Sequence, residues 1–136
     1  MNIELSTDKN DLNMEEVIEI YEANEWSSAE KPELLLKALR NSDTIVTARI
    51  SGRLVGIGNA ISDGHLVVYY PHLLVHPDFQ GKGIGKKIMI QMKKKYKDFH
   101  QQMLTADGDA VEFYKNMGFE RAGRTEPMWV YQGDDH

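Results

Sequence analysis

Three glycines spaced two apart, in the run Gln80-Gly81-Lys82-Gly83-Ile84-Gly85, stand between an apolar stretch ending at Leu73-Leu74-Val75 and an amphipathic, lysine-rich run. That order predicts a strand, a glycine turn and then a helix. Successive N–H groups at a helix start lack intrahelical partners and lie at the positive end of its dipole. Glycine lets an anion approach such a backbone with no Cβ in the way, so the stretch from Gln80 to Lys86 forms a cradle for a pyrophosphate. Lys82, Lys86 and Lys87 add attraction for a polyanion. The spacing departs from two commoner phosphate loops. Lys87 follows Gly-Lys where a Walker A loop needs Ser or Thr, and no glycine falls at Lys86 as the dinucleotide fingerprint requires. On its own, the cluster is equally compatible with close packing of a helix on a sheet.

Composition removes several chemistries. The chain has 136 residues and no cysteine, which excludes a thiol nucleophile, a disulfide scaffold and a cysteine zinc site. Its 5 histidines form no close pair on a helix face, so no metal site is expected. A formal net charge of −5 argues against nucleic-acid binding, which needs a basic footprint. No apolar run reaches the ~20 residues of a membrane span, and the start lacks the basic and apolar segments of a signal peptide. The expectation is one soluble cytoplasmic domain spanning residues 1–136.

The periodicity fills in the elements. Asn13 caps a helix with Glu16 three residues on, and Pro32 starts a second helix that buries Leu35, Leu36 and Leu39. Residues 43–50 and 53–61 read as a hairpin turned at Ser51-Gly52, and 66–75 as a third strand, covered on both faces. Pro71 inside that strand predicts a bulge or splay near His72. A strand at 102–105 follows the helix after the glycines. Asp109 is expected to cap a last helix, with Glu112 in third position and Gly118 ending it. Two closing strands are predicted at 119–122 and 128–131, and a short one at 2–6.

The run Leu-Leu-Val-His-Pro-Asp-Phe-Gln-Gly-Lys-Gly-Ile-Gly, residues 73–85, resembles the acetyl-CoA motif of the GNAT (GCN5-related N-acetyltransferase) superfamily. Ala-Val-Glu-Phe-Tyr-Lys-Asn-Met-Gly-Phe, residues 110–119, looks like the second signature of that family. The likeness is that of a short single-domain bacterial type. It implies an α/β fold with a central, mostly antiparallel sheet, splayed at the CoA site and flanked by about four helices. It also implies transfer of an acetyl group from acetyl-CoA to a primary amine in a ternary complex.

Residue by residue, the resemblance implies that the backbone of Leu73, Leu74 and Val75 meets the pantetheine arm. Gln80, Gly81, Lys82, Gly83, Ile84, Gly85 and Lys86 would hold the pyrophosphate, and Tyr114 would protonate the departing thiolate. Asp107 stands where the family often has asparagine against the cofactor arm. No residue is nominated as general base. Tyr69 and Pro71 face the right way without useful basicity, and His72, of opposite parity, reads as a surface or bulge histidine. Trp26, Tyr69, Tyr70 and Trp129 are candidates to line the acceptor pocket. The acceptor is a small amine, such as an arylalkylamine or polyamine, or a protein amine, and a homodimer is compatible with the family. The competing reading is a CoA-binding sensor or interaction module without turnover.

Overall fold

The computed structural model describes residues 2–134. In chain order the elements are β1 (Ile3–Ser6), α1 (Met14–Ala23), α2 (Pro32–Arg40), β2 (Thr44–Ile50), β3 (Arg53–Ser62), β4 (Val67–Tyr69), β5 (Leu73–Val75), α3 (Ile84–Lys95), β6 (Gln101–Met103) and α4 (Ala110–Asn116). Short 3-10 turns occupy Ser27–Glu30 and Pro77–Phe79. The mixed α/β expectation holds, with four α-helices around one six-stranded sheet among the described residues.

Local chemistry sets the helix starts. Asn13 Oδ1 accepts the N–H of Glu16 at 2.9 Å while its amide donates to the Glu16 carboxylate at 2.6 Å, a reciprocal cap on α1. Pro32 begins α2, where its missing N–H costs nothing. Asp109 does not cap α4. It stands at the N-cap position, but its backbone is helical where a capping residue is usually extended, and its side chain makes no cap bond; the Val111 N–H that it could have taken donates to the Gly108 carbonyl at 3.3 Å. Glu112 faces Lys115 instead, at 3.8 Å. Gly118, at φ +94°, ends the helix as its position predicts.

The sheet runs β1-β2-β3-β4-β6, with β5 also on β3. All its pairs are antiparallel except β4 with β6. Tyr69 faces Ile61 while Leu73 faces Gly58, so four steps on one strand answer three on β3. Residues 67–75 therefore run along one side of β3 as a strand broken by a one-residue slip, and the break falls around Pro71. This is the predicted splay. The prediction that 66–75 is covered on both faces fails at β4, where Val67 and Tyr69 are exposed.

Side chains alternate across the sheet into two cores. Leu74 and Ile57 pack with α1 and α2, whereas Leu73, Val75 and Ala60 meet α3. A Cβ on Gly56 would lie 2.8 Å from Ile84, and one on Gly58 would lie 2.9 Å from Ile88. Their absence lets α3 settle directly on β3, which fixes where its N-terminus points.

The two closing strands do not form among the described residues. Pro127 cannot donate to a ladder, and Gly123 turns the chain at φ +61°. Phe119 is drawn edge-on against Tyr70 and Tyr114, and Lys93 lies 5.2 Å over its ring. The tail then crosses to the turn after α1, where the Tyr131 hydroxyl is 3.3 Å from Ser27 Oγ. Met128 and Val130 are left 93% and 96% exposed.

Candidate functional site

β4 and β5 share one edge of β3, but β6 follows β4 alone, so the sheet forks at the break. The fork leaves β5 with an open edge. His76 N–H donates to the Val55 carbonyl at 2.8 Å, and the His72 carbonyl accepts from Asn59 N–H at 3.1 Å. By the alternation of an antiparallel ladder, residues 72, 74 and 76 face β3, and the peptide groups of Leu73 and Val75 face outward into the fork.

One of those outward groups is pinned. The Val75 carbonyl accepts from Gln80 Nε2 at 3.0 Å and from Asn24 Nδ2 at 3.2 Å. The Gln80 side chain thus ties the glycine loop back to β5. Sequence reading missed Asn24, whose only local signal is its place at the C-terminus of α1. The turn between β5 and the glycines is capped by His76, whose Nδ1 accepts the N–H of Asp78 at 3.1 Å.

The loop itself is shaped for an anion. Gly81 and Gly83 sit at φ +78° and +82°, where any other L-residue is strained. The first helical bond of α3 runs from Lys87 N–H to the Gly83 carbonyl at 3.1 Å. Among the described residues, the six successive N–H groups of residues 81–86 make no hydrogen bond. They lie at the positive end of α3, beside the exposed side chains of Lys82, Lys86 and Lys87. Of the residues predicted here, Ile84 points its side chain into the core while its N–H stays in this row.

α4 closes the far side of the fork. The Phe113 ring stands 3.5 Å from where a Gly85 Cβ would be, with Val75 next to it at 3.6 Å, so Gly85 lets α4 approach the first turn of α3. Lys93 on α3 donates to the Met117 carbonyl and holds the end of α4 down. Tyr114, next along α4, packs edge-on to Phe113 and Phe119 at 5.0 and 5.8 Å. Burial pushes its phenol up to about 12, so it stays protonated at neutral pH. Asp107 lies in the exposed loop between β6 and α4.

The predicted acceptor-pocket aromatics do not all converge. Tyr70 joins the α3 core and donates to Gln102 Oε1 at 2.6 Å, and Tyr69 is exposed on the other side of the break. Trp129 stacks on Tyr131 at 4.3 Å. Trp26 does sit at the α1 side of the fork, 5.0 Å edge-on to His72 and 6.0 Å from Tyr21. His72 is not a surface histidine. It shares the face of Leu74, its ring packs edge-on against Trp26, and its Nδ1 lies 2.7 Å from the buried Tyr21 hydroxyl.

Residues 8–127 match the family model described as an acetyltransferase (GNAT) domain. The chain belongs to the GNAT acetyltransferase family. An uncharacterized N-acetyltransferase, ycf52, of Pyropia yezoensis is 32% identical over 125 residues, covering 87% of this chain and 70% of the relative. The ycf52 protein of Gracilaria tenuistipitata is 41% identical over 68 residues, 48% of this chain and 37% of that protein. Against that relative the match spans little more than a third of its length. A GNAT-family acetyltransferase structure from Streptococcus pneumoniae superposes with a TM-score of 0.83 at 29% identity, over 96% of this chain and 99% of that one. A probable acetyltransferase from Staphylococcus aureus shares the fold at a TM-score of 0.84 and 24% identity, over 96% and 99%. The protein is thus a GNAT acetyltransferase, and enzymes of this family use acetyl-CoA.

Proposed function

We propose that this GNAT acetyltransferase moves an acetyl group from acetyl-CoA directly to a primary amine held on the α1 side of the fork. The observation that carries the reading is the row of six N–H groups at 81–86, unpaired among the described residues at the start of α3, which follows a strand with an open edge. A pyrophosphate meets the demand of those donors, and Lys82, Lys86 and Lys87 match its charge. The outward peptide groups of Leu73 and the outward N–H of Val75 offer hydrogen bonds to an amide-bearing arm laid along β5, while the Val75 carbonyl is held by Gln80 and Asn24. Asp107, whose carbonyl accepts the Ala110 N–H in the turn into α4, is the residue we assign to the other side of that arm.

Bound acetyl-CoA supplies a thioester whose carbonyl carbon takes the amine lone pair as the C–S bond breaks. An outward backbone N–H of β5 serves as donor to the carbonyl oxygen. Tyr114, held neutral by burial, gives its proton to the departing sulfur and is reprotonated from water. The proton lost by the amine goes to solvent, so acetyl-CoA and amine become amide and free thiol. The acceptor class stays open between a small amine and a protein amine, and the acidic balance of the chain favours a cationic one.

The test is release of free CoA thiol from acetyl-CoA with a panel of polyamines, arylalkylamines, amino acids, aminoglycosides and lysine peptides. Amine-dependent thiol release supports the reading. Tight CoA binding with no release on any amine marks a CoA-binding module instead, and equal stabilisation by ATP or NAD marks a general phosphate binder.

A further inference from the structure

On the α1 side of the fork, one buried hydrogen bond decides which nitrogen of His72 carries its proton. Tyr21 is fully buried, and His72 Nδ1, at 2.7 Å, is the only hydrogen-bond partner of its hydroxyl among the described residues. Were Nδ1 to carry the proton and donate, the phenol O–H would be left buried with no acceptor, a costly arrangement. The phenol therefore donates, Nδ1 is the acceptor, and the ring proton sits on Nε2.

The surroundings hold this state. Trp26 covers the ring edge-on from the turn after α1, Tyr21 is the titratable group facing it from α1, and Asn59 of β3 binds its backbone. Burial holds the imidazole down at about 4, so it stays neutral across the physiological range. Nε2 makes no hydrogen bond among the described residues, yet it is not sealed from solvent. It sits one residue before Leu73, the first of the outward-facing peptides.

We propose that His72 presents a fixed Nε2–H donor on the acceptor side of the fork, where it selects amines bearing a hydroxyl, carbonyl or carboxylate oxygen near the reacting nitrogen. The proposal rests on the acetyl-transfer reading only for the identity of the acceptor. It also removes His72 as general base, since its one basic nitrogen is spent on Tyr21. A simple alkylammonium finds no acceptor there, whereas an amine with a neighbouring oxygen gains a hydrogen bond.

Nitrogen NMR of histidine-labelled protein tests this without turnover, with the His72 signals assigned by their loss in His72→Gln. The expected result is a protonated Nε2 and an unprotonated Nδ1 at neutral pH, with Tyr21→Phe abolishing the preference. Adding ethanolamine in the presence of CoA should shift the Nε2–H signal, and propylamine should not. In kinetics, ethanolamine should exceed propylamine in kcat/KM by about tenfold, a preference lost in His72→Leu. A proton on Nδ1, a titration near 6.5, or equal response to the two amines overturns the proposal. Absence of thiol release with every amine counts against acetyl transfer alone, because the NMR arms still decide the donor.

Discussion

Asn59 holds the His72 peptide at both ends: its Oδ1 accepts the His72 N–H at 3.0 Å, and its own N–H donates to the His72 carbonyl at 3.1 Å. Its remaining amide donates to Ser42 Oγ at 3.0 Å, so a residue only 4% exposed satisfies the backbone beside the slip between β4 and β5. The fork is thereby fixed by a side chain in place of a ladder bond. Leu73, whose peptide faces outward, follows immediately.

Replacing Asn59 with alanine should leave the His72 N–H without an acceptor and cost about 1–3 kcal/mol in urea unfolding. Because Leu73 is the next residue, the KM for acetyl-CoA should also rise. Asn59→Ala with unchanged stability would mean that the clamp contributes nothing.

Gly83→Ala forces a Cβ into φ +82°, as Gly52→Ala does at φ +81° in the β2–β3 turn. Each should cost roughly 1–2 kcal/mol of stability, from the same backbone conflict. Only the Gly83 variant should weaken acetyl-CoA binding, by calorimetric titration, since Gly52 lies outside the anion cradle. Equal affinity in the two variants would separate the loop from the cofactor.

Tyr114→Phe keeps the ring that packs on Phe113 and Phe119 and removes only the phenol oxygen. If that oxygen protonates the leaving sulfur, kcat should fall by about 10²–10⁴ with the KM for acetyl-CoA little changed. With the phenol raised to about 12, the wild-type rate should not decline through pH 10 on its account.

Stability should respond to pH at both ends. His72 has a folded value lowered to about 4 against an ordinary 6.5, so the unfolded chain takes up its proton first as pH falls. Its contribution is complete above 6.5 and is lost between 6.5 and 4. His72→Gln should therefore flatten that part of a thermal-unfolding profile relative to wild type. Tyr21, Tyr70, Tyr96 and Tyr114 are all raised by burial, so the folded state should lose stability as pH climbs past 10. A profile flat above pH 10 would contradict this.

How much of this was legible in the sequence depends on how far each cause lies along the chain. The glycine loop was, because Gly81 and Gly83 are demanded by their own backbone angles. Pro71 announced the break for the same local reason: it lacks a donor. The surroundings of His72 were not, since its partner Tyr21 lies 51 positions away and on another element. Strand parity set His72 opposite to Tyr69 and Pro71, but a surface or bulge reading of it overlooked the covered face that it shares with Leu74. Asp109 had the spacing of a cap, yet its own backbone is helical and the Gly108 carbonyl takes the Val111 N–H. The apolar run at 128–131 suggested a strand, but such a run supplies no partner edge, and the tail runs to Ser27 instead.

The most direct measurement of the central claim is calorimetric titration of acetyl-CoA into wild type and Gly83→Ala, followed by thiol release from the same preparations with the amine panel. The account predicts saturable binding that the Gly83 variant weakens, and thiol release that requires an amine. Acetyl-CoA binding undiminished in Gly83→Ala, or thiol release indifferent to amine, would contradict it.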